Sequence, residues 1–282
     1  MKKIVPISII LLIISLLIVK INSLENEDDG YEVPPKNVAI GLNYHRVREK
    51  TVWNKGIELV TQSKELTTYS VYEDTFEQQL DTLIESGAYF ATPSELGQFS
   101  EDGQFPDKCV WISFDDIDKT VYDIAFPILK EKGIPFTVFV ISGEVGGEDF
   151  DSMEMVTWDD LREMRDSGLV TFGSHTHDMH YLEGDKAIFL YEKNYDKFEK
   201  DIKLSKRIME KELNVEVNTM AYPFGDASDD VAEICKKSGY DYAYLLSPNP
   251  ICIDDDPYHI SRYLTDKNNF DKILIPWLNL YN

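Results

Sequence analysis

From Asn37 onward the chain alternates short β-rich runs with longer amphipathic stretches, and this alternation restricts the fold more than any other feature. Strands separated by helices are joined by crossover connections and pair in parallel. The reading places strands at Val38–Tyr44, Tyr89–Thr92, Val110–Phe114, Phe136–Ile141, Leu169–Phe172, Thr219–Tyr222, Tyr242–Leu246 and Ile260–Leu264. Helices are expected from about Thr75, at Pro93–Phe99, Val121–Lys132, Trp158–Ser167, Tyr191–Leu213, Val231–Ser238 and Phe270–Leu278. In the first, Phe76, Leu80, Leu83 and Ile84 recur at the spacing of one buried helix face, and Gly87 stands where a C-terminal cap belongs. Between the first strand and this helix, the polar stretch Arg46–Ser70 reads as a long surface loop. The expected fold class is α/β, a single distorted (β/α) barrel of about seven strands. Its reactive residues should then follow the carboxyl ends of strands.

The start of the chain has a different character. Met1, Lys2 and Lys3 precede an apolar run, Ile4–Val19, closed by Lys20, which reads as an export segment. The run is longer than a typical signal-peptide core and shorter than a full membrane span, and no Ala-x-Ala precedes Ser23, which favours an uncleaved anchor. Residues 24–36, acidic and carrying Pro34-Pro35, read as a linker, so that 1–23 is expected to be a signal peptide or signal anchor and 37–282 the folded domain. The bulk of the protein is expected outside the cell, meeting the membrane only through its N-terminal segment. A formal net charge of -23 argues against nucleic acid as a partner and would attract a cationic polymer, although plain solubility explains it as well. Cys109, Cys235 and Cys252 are too few and too dispersed for a disulfide framework and read as core residues.

Four strand ends carry candidate chemistry. Of five histidines, at positions 45, 175, 177, 180 and 259, three lie in the run His175-Thr-His-Asp-Met-His180 directly after a predicted strand. Imidazole is the commonest nitrogen ligand for zinc and similar metals, the plainer alternative being a polar loop. Asp115-Asp116 closes the strand Val110–Phe114, where one carboxylate could bind metal and the other act as a base, or both could simply cap a turn. Ala221-Tyr-Pro-Phe-Gly225 is a turn that could present the Phe224 or Gly225 amide to a ligand. His45 follows the first strand.

Taken together, SFDD (113–116), GSHTHDMHYL (173–182) and AYPFG (221–225) resemble the polysaccharide deacetylases with NodB homology. The opening NYHRV and the TWDDLREMRDSGLV stretch look most like the poly-N-acetylglucosamine deacetylases of the IcaB and PgaB kind. The resemblance implies that Asp116, His175 and His180 bind one divalent metal, zinc first, with nickel, cobalt or iron as alternatives. It implies further that Asp115 is the catalytic base, the Phe224 backbone amide an oxyanion donor and His45 the general acid. Tyr222 and Trp158 are candidate substrate-binding residues, and Trp53 and Tyr72 further sugar-stacking candidates.

The chain departs from the family pattern in places. Ala221 stands where relatives carry the Arg that orients the base, leaving Arg262 or Arg46 to replace it. The late Leu-x-His motif is absent, which moves the acid to His45, with His259 as a weaker alternative. His177 could compete as a ligand, and is expected instead to stand behind the ligands or face substrate. The function implied is metal-dependent removal of acetyl groups from extracellular poly-β-1,6-N-acetyl-D-glucosamine, a biofilm polymer, by a protein taken to be a monomer. Peptidoglycan, chitin oligomers or another acetylated glycan are alternative substrates, and an inactive surface glycan-binding protein is the alternative from another class.

Overall fold

The computed structural model describes residues 32–50, 68–148, 150 and 153–281. The export segment, most of the linker and Trp53 lie outside the described residues. Seven strands form one parallel sheet: β1 (Ala39–Tyr44), β3 (Cys109–Phe114), β4 (Phe136–Val140), β5 (Val170–Ser174), β6 (Thr219–Ala221), β7 (Tyr242–Tyr244) and β8 (Tyr263–Leu264), with the two-residue β2 (Tyr89–Phe90) pairing beside β3. Their spatial order is β7-β6-β5-β4-β3-β1-β8. The last stretch touches both edges, Ile260 bridging to Tyr244 while Tyr263 and Leu264 pair with Leu42 and Asn43, so the sheet curls into the expected barrel.

The strands read as near-continuous apolar runs because parallel strands in a barrel are covered on both faces. β1 and β3 are buried at every residue. Alternate residues divide between two cores, as the two-residue period of a strand requires. Leu42 and Tyr44 of β1 and Ile112 and Phe114 of β3 face the helical layer, where Tyr44 packs edge-on against Phe76, ring centroids 5.1 Å apart. Ala39, Trp111, Phe139, Ala221 and Tyr244 fill the barrel interior. Two glycines make room there: a Cβ at Gly41 would lie 3.1 Å from the Arg262 stem, and one at Gly173 would lie 2.5 Å from the Phe139 ring.

The helices follow their local signals. α1 (Glu73–Glu85) buries Phe76, Leu80 and Leu83, but Ile84, expected on the same face, is 43% exposed because it lies at the margin of the stripe. The chain leaves it through Ser86 and a left-handed Gly87. α2 (Pro93–Asp102) and α4 (Trp158–Asp166) both open on capping boxes, Thr92 with Glu95 and Thr157 with Asp160. α3 (Phe126–Lys132) ends at left-handed Gly133, and α5 (Tyr195–Leu213) and α6 (Asp229–Lys237) add to the layer. The stretch Arg46–Ser70, expected as loop, contains at its two ends a short parallel pair, Arg46–Arg48 with Ser70–Tyr72. Cys109 and Cys235 are buried and Cys252 is half-buried; all three are free thiols.

Candidate active site at the carboxyl ends of the strands

The chain turns sharply at the end of β3. Asp116 and Ile117 both adopt left-handed backbone, φ 64° and 68°, and the Ile117 amide donates to the Asp115 carbonyl over 2.7 Å. Such geometry at a β-branched residue is strained, by about 1–3 kcal/mol per residue, and strain of this kind concentrates at functional sites. Its effect here is to bring two successive carboxylates to one cleft, lined by His45, Tyr69, Asp115, Asp116, His175, His180, Phe224, Gly225 and Leu246. His45 follows β1, Asp115 and Asp116 follow β3, His175 follows β5, Phe224 follows β6 and Leu246 follows β7, so the candidate residues gather at the carboxyl ends of the strands.

Asp116, His175 and His180 offer one ligand atom each, all within 4.8 Å of one another. The Nε2 atoms of His175 and His180 lie 3.4 and 3.3 Å from the same oxygen, Asp116 Oδ1, which is buried. His175 Nδ1 lies 2.8 Å from the Ala221 carbonyl and can only donate to it, leaving the Nε2 lone pair pointing into the cleft. Burial pushes His180 down to about 4, with Asp116 opposing, so its imidazole is neutral near pH 7 as ligation requires. Burial alone would raise the Asp116 carboxyl, but the His175, His180 and His45 rings that surround it hold it well below the usual carboxylate range. One carboxylate and two imidazoles converging on one point, with a buried oxygen that has no hydrogen-bond donor among the described residues, is a donor set that fits a single divalent cation.

Asp115 is gripped from behind. Arg262, completely buried, donates from Nη1 to Asp115 Oδ1 over 2.7 Å and from Nη2 to Oδ2 over 2.9 Å. The guanidinium is itself fixed by Nε to the Leu245 carbonyl (3.1 Å), by Nη1 to Ser113 Oγ (3.1 Å) and by the Phe139 ring, 5.0 Å away. Burial pushes the Asp115 carboxyl up, yet the Arg262 guanidinium, with His175 and His45, outweighs it and leaves the pKa below its ordinary value. Of the two arginines considered for the place vacated by Ala221, Arg262 therefore faces Asp115, while Arg46 pairs with Asp118 at 3.2 Å.

His45 is half-buried beside Tyr69, ring centroids 4.8 Å apart, and its buried Nδ1 has no hydrogen-bond partner among the described residues. Burial lowers its pKa, with the Asp116 and Asp115 charges opposing. Phe224, at φ 62°, lays a half-exposed ring against His180 at 4.7 Å. Other candidates fall elsewhere. Tyr222 is fully buried and donates to the Tyr258 carbonyl over 3.0 Å, so its ring belongs to the core. Trp158 begins α4 and packs half-buried on the helical core, away from the cleft, and Tyr72 does not line it either. His259 faces Asp256 at 3.3 Å on the surface. His177 is outside the ligand cluster, its Nδ1 3.0 Å from Ser142 Oγ. Tyr69, which no motif marks, lines the cleft where Tyr222, Trp158 and Tyr72 do not.

The model of the polysaccharide deacetylase family matches residues 102–243. The chain is similar to the poly-beta-1,6-N-acetyl-D-glucosamine N-deacetylase of Staphylococcus epidermidis, 38% identical over 91% of this chain and 89% of that one. It is likewise similar to the enzyme of the same name from Staphylococcus aureus, 36% identical over 95% and 96%. Among solved structures, IcaB from Ammonifex degensii superposes with a TM-score of 0.76 at 28% identity, covering 88% of this chain and 99% of that one. The Streptococcus pyogenes deacetylase PplD shares the fold, with a TM-score of 0.68 at 23% identity over 86% and 99%. Similarity over nearly the full length of these enzymes, with the carboxylates and histidines of the shared motifs meeting in one cleft, shows that the chain belongs to the polysaccharide deacetylase family and is a deacetylase.

Proposed function

We propose that the protein is a metal-dependent N-deacetylase of poly-β-1,6-N-acetyl-D-glucosamine, working outside the cell and tethered by its N-terminal apolar segment. The observation that carries the chemistry is the adjacency of two differently held carboxylates: Asp115 in the two-pronged grip of Arg262, and Asp116 facing His175 and His180. The substrate rests on the names of relatives that match along nearly the whole chain. The exported location rests on the Met1-Lys-Lys start and the apolar run after it.

A divalent ion held by Asp116, His175 and His180, zinc in the first instance, would supply Lewis acidity and a lowered water pKa at the acetyl carbonyl. Asp115 accepts a proton from the water whose oxygen attacks that carbonyl, and Arg262 keeps the carboxylate ionised and aimed. The Phe224 backbone N–H is assigned to the oxyanion. As the carbon–nitrogen bond breaks, His45 hands a proton to the departing glucosamine nitrogen, and acetate leaves. Tyr69 and the Phe224 ring form apolar walls suited to a pyranose face.

The test is acetate release from poly-N-acetylglucosamine oligomers by the purified protein, with and without chelator, alongside Asp115→Asn. Release that chelator stops and Asp115→Asn lowers by on the order of 10² or more supports the proposal. Release only from chitin oligomers or peptidoglycan overturns the substrate, and release indifferent to chelator overturns the metal.

A further inference from the structure

Both histidines of the ligand cluster sit on one loop, residues 174–180, and the far side of that loop rests on helix α5 rather than on the barrel. Asp201 of α5 accepts two successive backbone amides of the loop, from His177 to Oδ1 at 2.7 Å and from Asp178 to Oδ2 at 2.8 Å. One turn further along, Ser205 is completely buried and works as a junction. It accepts from Ser174 Oγ (2.7 Å) and Ser142 Oγ (3.1 Å) and donates to the Thr176 carbonyl (3.2 Å). Between these two anchors Thr176 is held at φ 73°, a left-handed conformation that a threonine does not keep unless its surroundings impose it. The neighbouring segment adds to the hold, the Ser142 and Gly143 amides donating to the Thr176 and His177 carbonyls at 3.1 Å each.

The loop is thus over-determined at the residues between the two ligands, not at the ligands themselves. If the clamp were released, Thr176 would relax toward a right-handed or extended backbone. His175 is tied to the barrel by its own amide, which donates to the Val140 carbonyl over 2.9 Å, so the displacement would fall on His180. We infer that Asp201, assisted by Ser205, is a positioning residue of the deacetylase site: it holds the 174–180 loop in the shape that lets His175 and His180 address one cation together. This inference rests on the metal reading under Proposed function.

The test uses the full chain, loaded with Zn²⁺ in competition with a chromogenic chelator, and with Co²⁺ to read the ligand-field absorption of the site. Asp201→Asn keeps the shape of the side chain but can accept only one of the two amides. It is expected to weaken Zn²⁺ binding on the order of tenfold, as loss of groups that orient metal ligands does, and to alter the Co²⁺ spectrum. Ser205→Ala should act in the same direction and serves if Asp201→Asn does not fold. Ile202→Val, a buried neighbour on α5 that makes no side-chain contact of this kind, is the control for general destabilisation. It should lower the melting temperature and leave Zn²⁺ affinity within about twofold. A folded Asp201→Asn that matches wild type in affinity and spectrum, or an Ile202→Val that loses as much affinity, overturns the inference while leaving the deacetylase reading intact. A wild-type protein that binds no Zn²⁺ overturns both.

Discussion

Replacing Arg262 by methionine removes the charge that faces Asp115 while filling much the same space. The pair is buried on both sides, Arg262 at 0% and the Asp115 side chain at 4% exposure, and both carboxylate oxygens are bonded. Stripping one partner from a buried ion pair costs about 3–5 kcal/mol, because the other is left charged and unsolvated. Asp115 can escape part of that cost by taking up a proton. In the wild type, burial raises its pKa and Arg262, with His175 and His45, brings it net below the ordinary value. A carboxylate of that kind adds stability above the unfolded pKa of about 3.9, and this stability is lost as pH falls through the folded pKa. In Arg262→Met the burial remains and its largest opponent is gone, so the sign reverses. Loss of about 3 kcal/mol from the ionised form, at 1.36 kcal/mol per pH unit, moves the pKa up by about 2 units. The assay is the pH profile of acetate release: the acid limb should climb by about that amount, so that the deficit is largest near pH 5 and smaller near pH 8. Denaturant unfolding should show the stability gap between variant and wild type narrowing as pH falls. A folded, metal-loaded Arg262→Met whose acid limb coincides with wild type would refute the reasoning.

His45→Gln should lower kcat on the order of 10² to 10⁴-fold with little change in KM, because His45 is assigned to the departing nitrogen rather than to ground-state binding; an equal loss in KM alone would reassign it to substrate positioning. Zinc at about 100 times its Kd should stabilise the wild type by about 2.7 kcal/mol in thermal unfolding, and His180→Ala should lose most of that gain; an unchanged gain would place the metal elsewhere. Gly225→Ala should destabilise the protein by about 1–3 kcal/mol and reduce activity, since Gly225 has φ 76° and a Cβ there would fall 2.2 Å from Leu246 Cβ, forcing the turn that carries Phe224 out of the cleft. An unaltered urea midpoint would show that the turn gives way more easily than this packing implies.

Much of the site was legible because its chemistry is concentrated in short runs at strand ends. Asp115, Asp116, His175, His180, His45 and Phe224 each follow a strand in the sequence, and parallel strands in one barrel present those ends to a common cleft. Tyr222 and Trp158 do not line the cleft, because nearness to a motif does not say which way a side chain points. At the end of β6 the tyrosine turns into the core, and the turn delivers the Phe224 ring to the cleft instead. Asp201 is one acid among many on a charged helix, yet a signal existed beside it. Phe198, Ile202, Met209 and Leu213 form the buried stripe of α5, and Ser205 interrupts that stripe with a hydroxyl, which a purely structural helix has no reason to bury.

The alternation of strand and helix, the apolar run after Met1-Lys-Lys and the clustering of aspartates and histidines in short runs are local properties, set by residues within a few positions of one another, and the sequence determined them by itself. The partner of Asp115 lies 147 residues away, the wall beside His45 is a tyrosine beyond a long excursion of the chain, and the loop between His175 and His180 is held by a helix that follows it. Those meetings depend on strand register and on the closure of the barrel through Ile260 and Tyr263, which sum over the whole chain. A deeply buried carboxylate accepts whichever guanidinium the closed barrel delivers, and only the tertiary structure could decide that it is Arg262 and not Arg46.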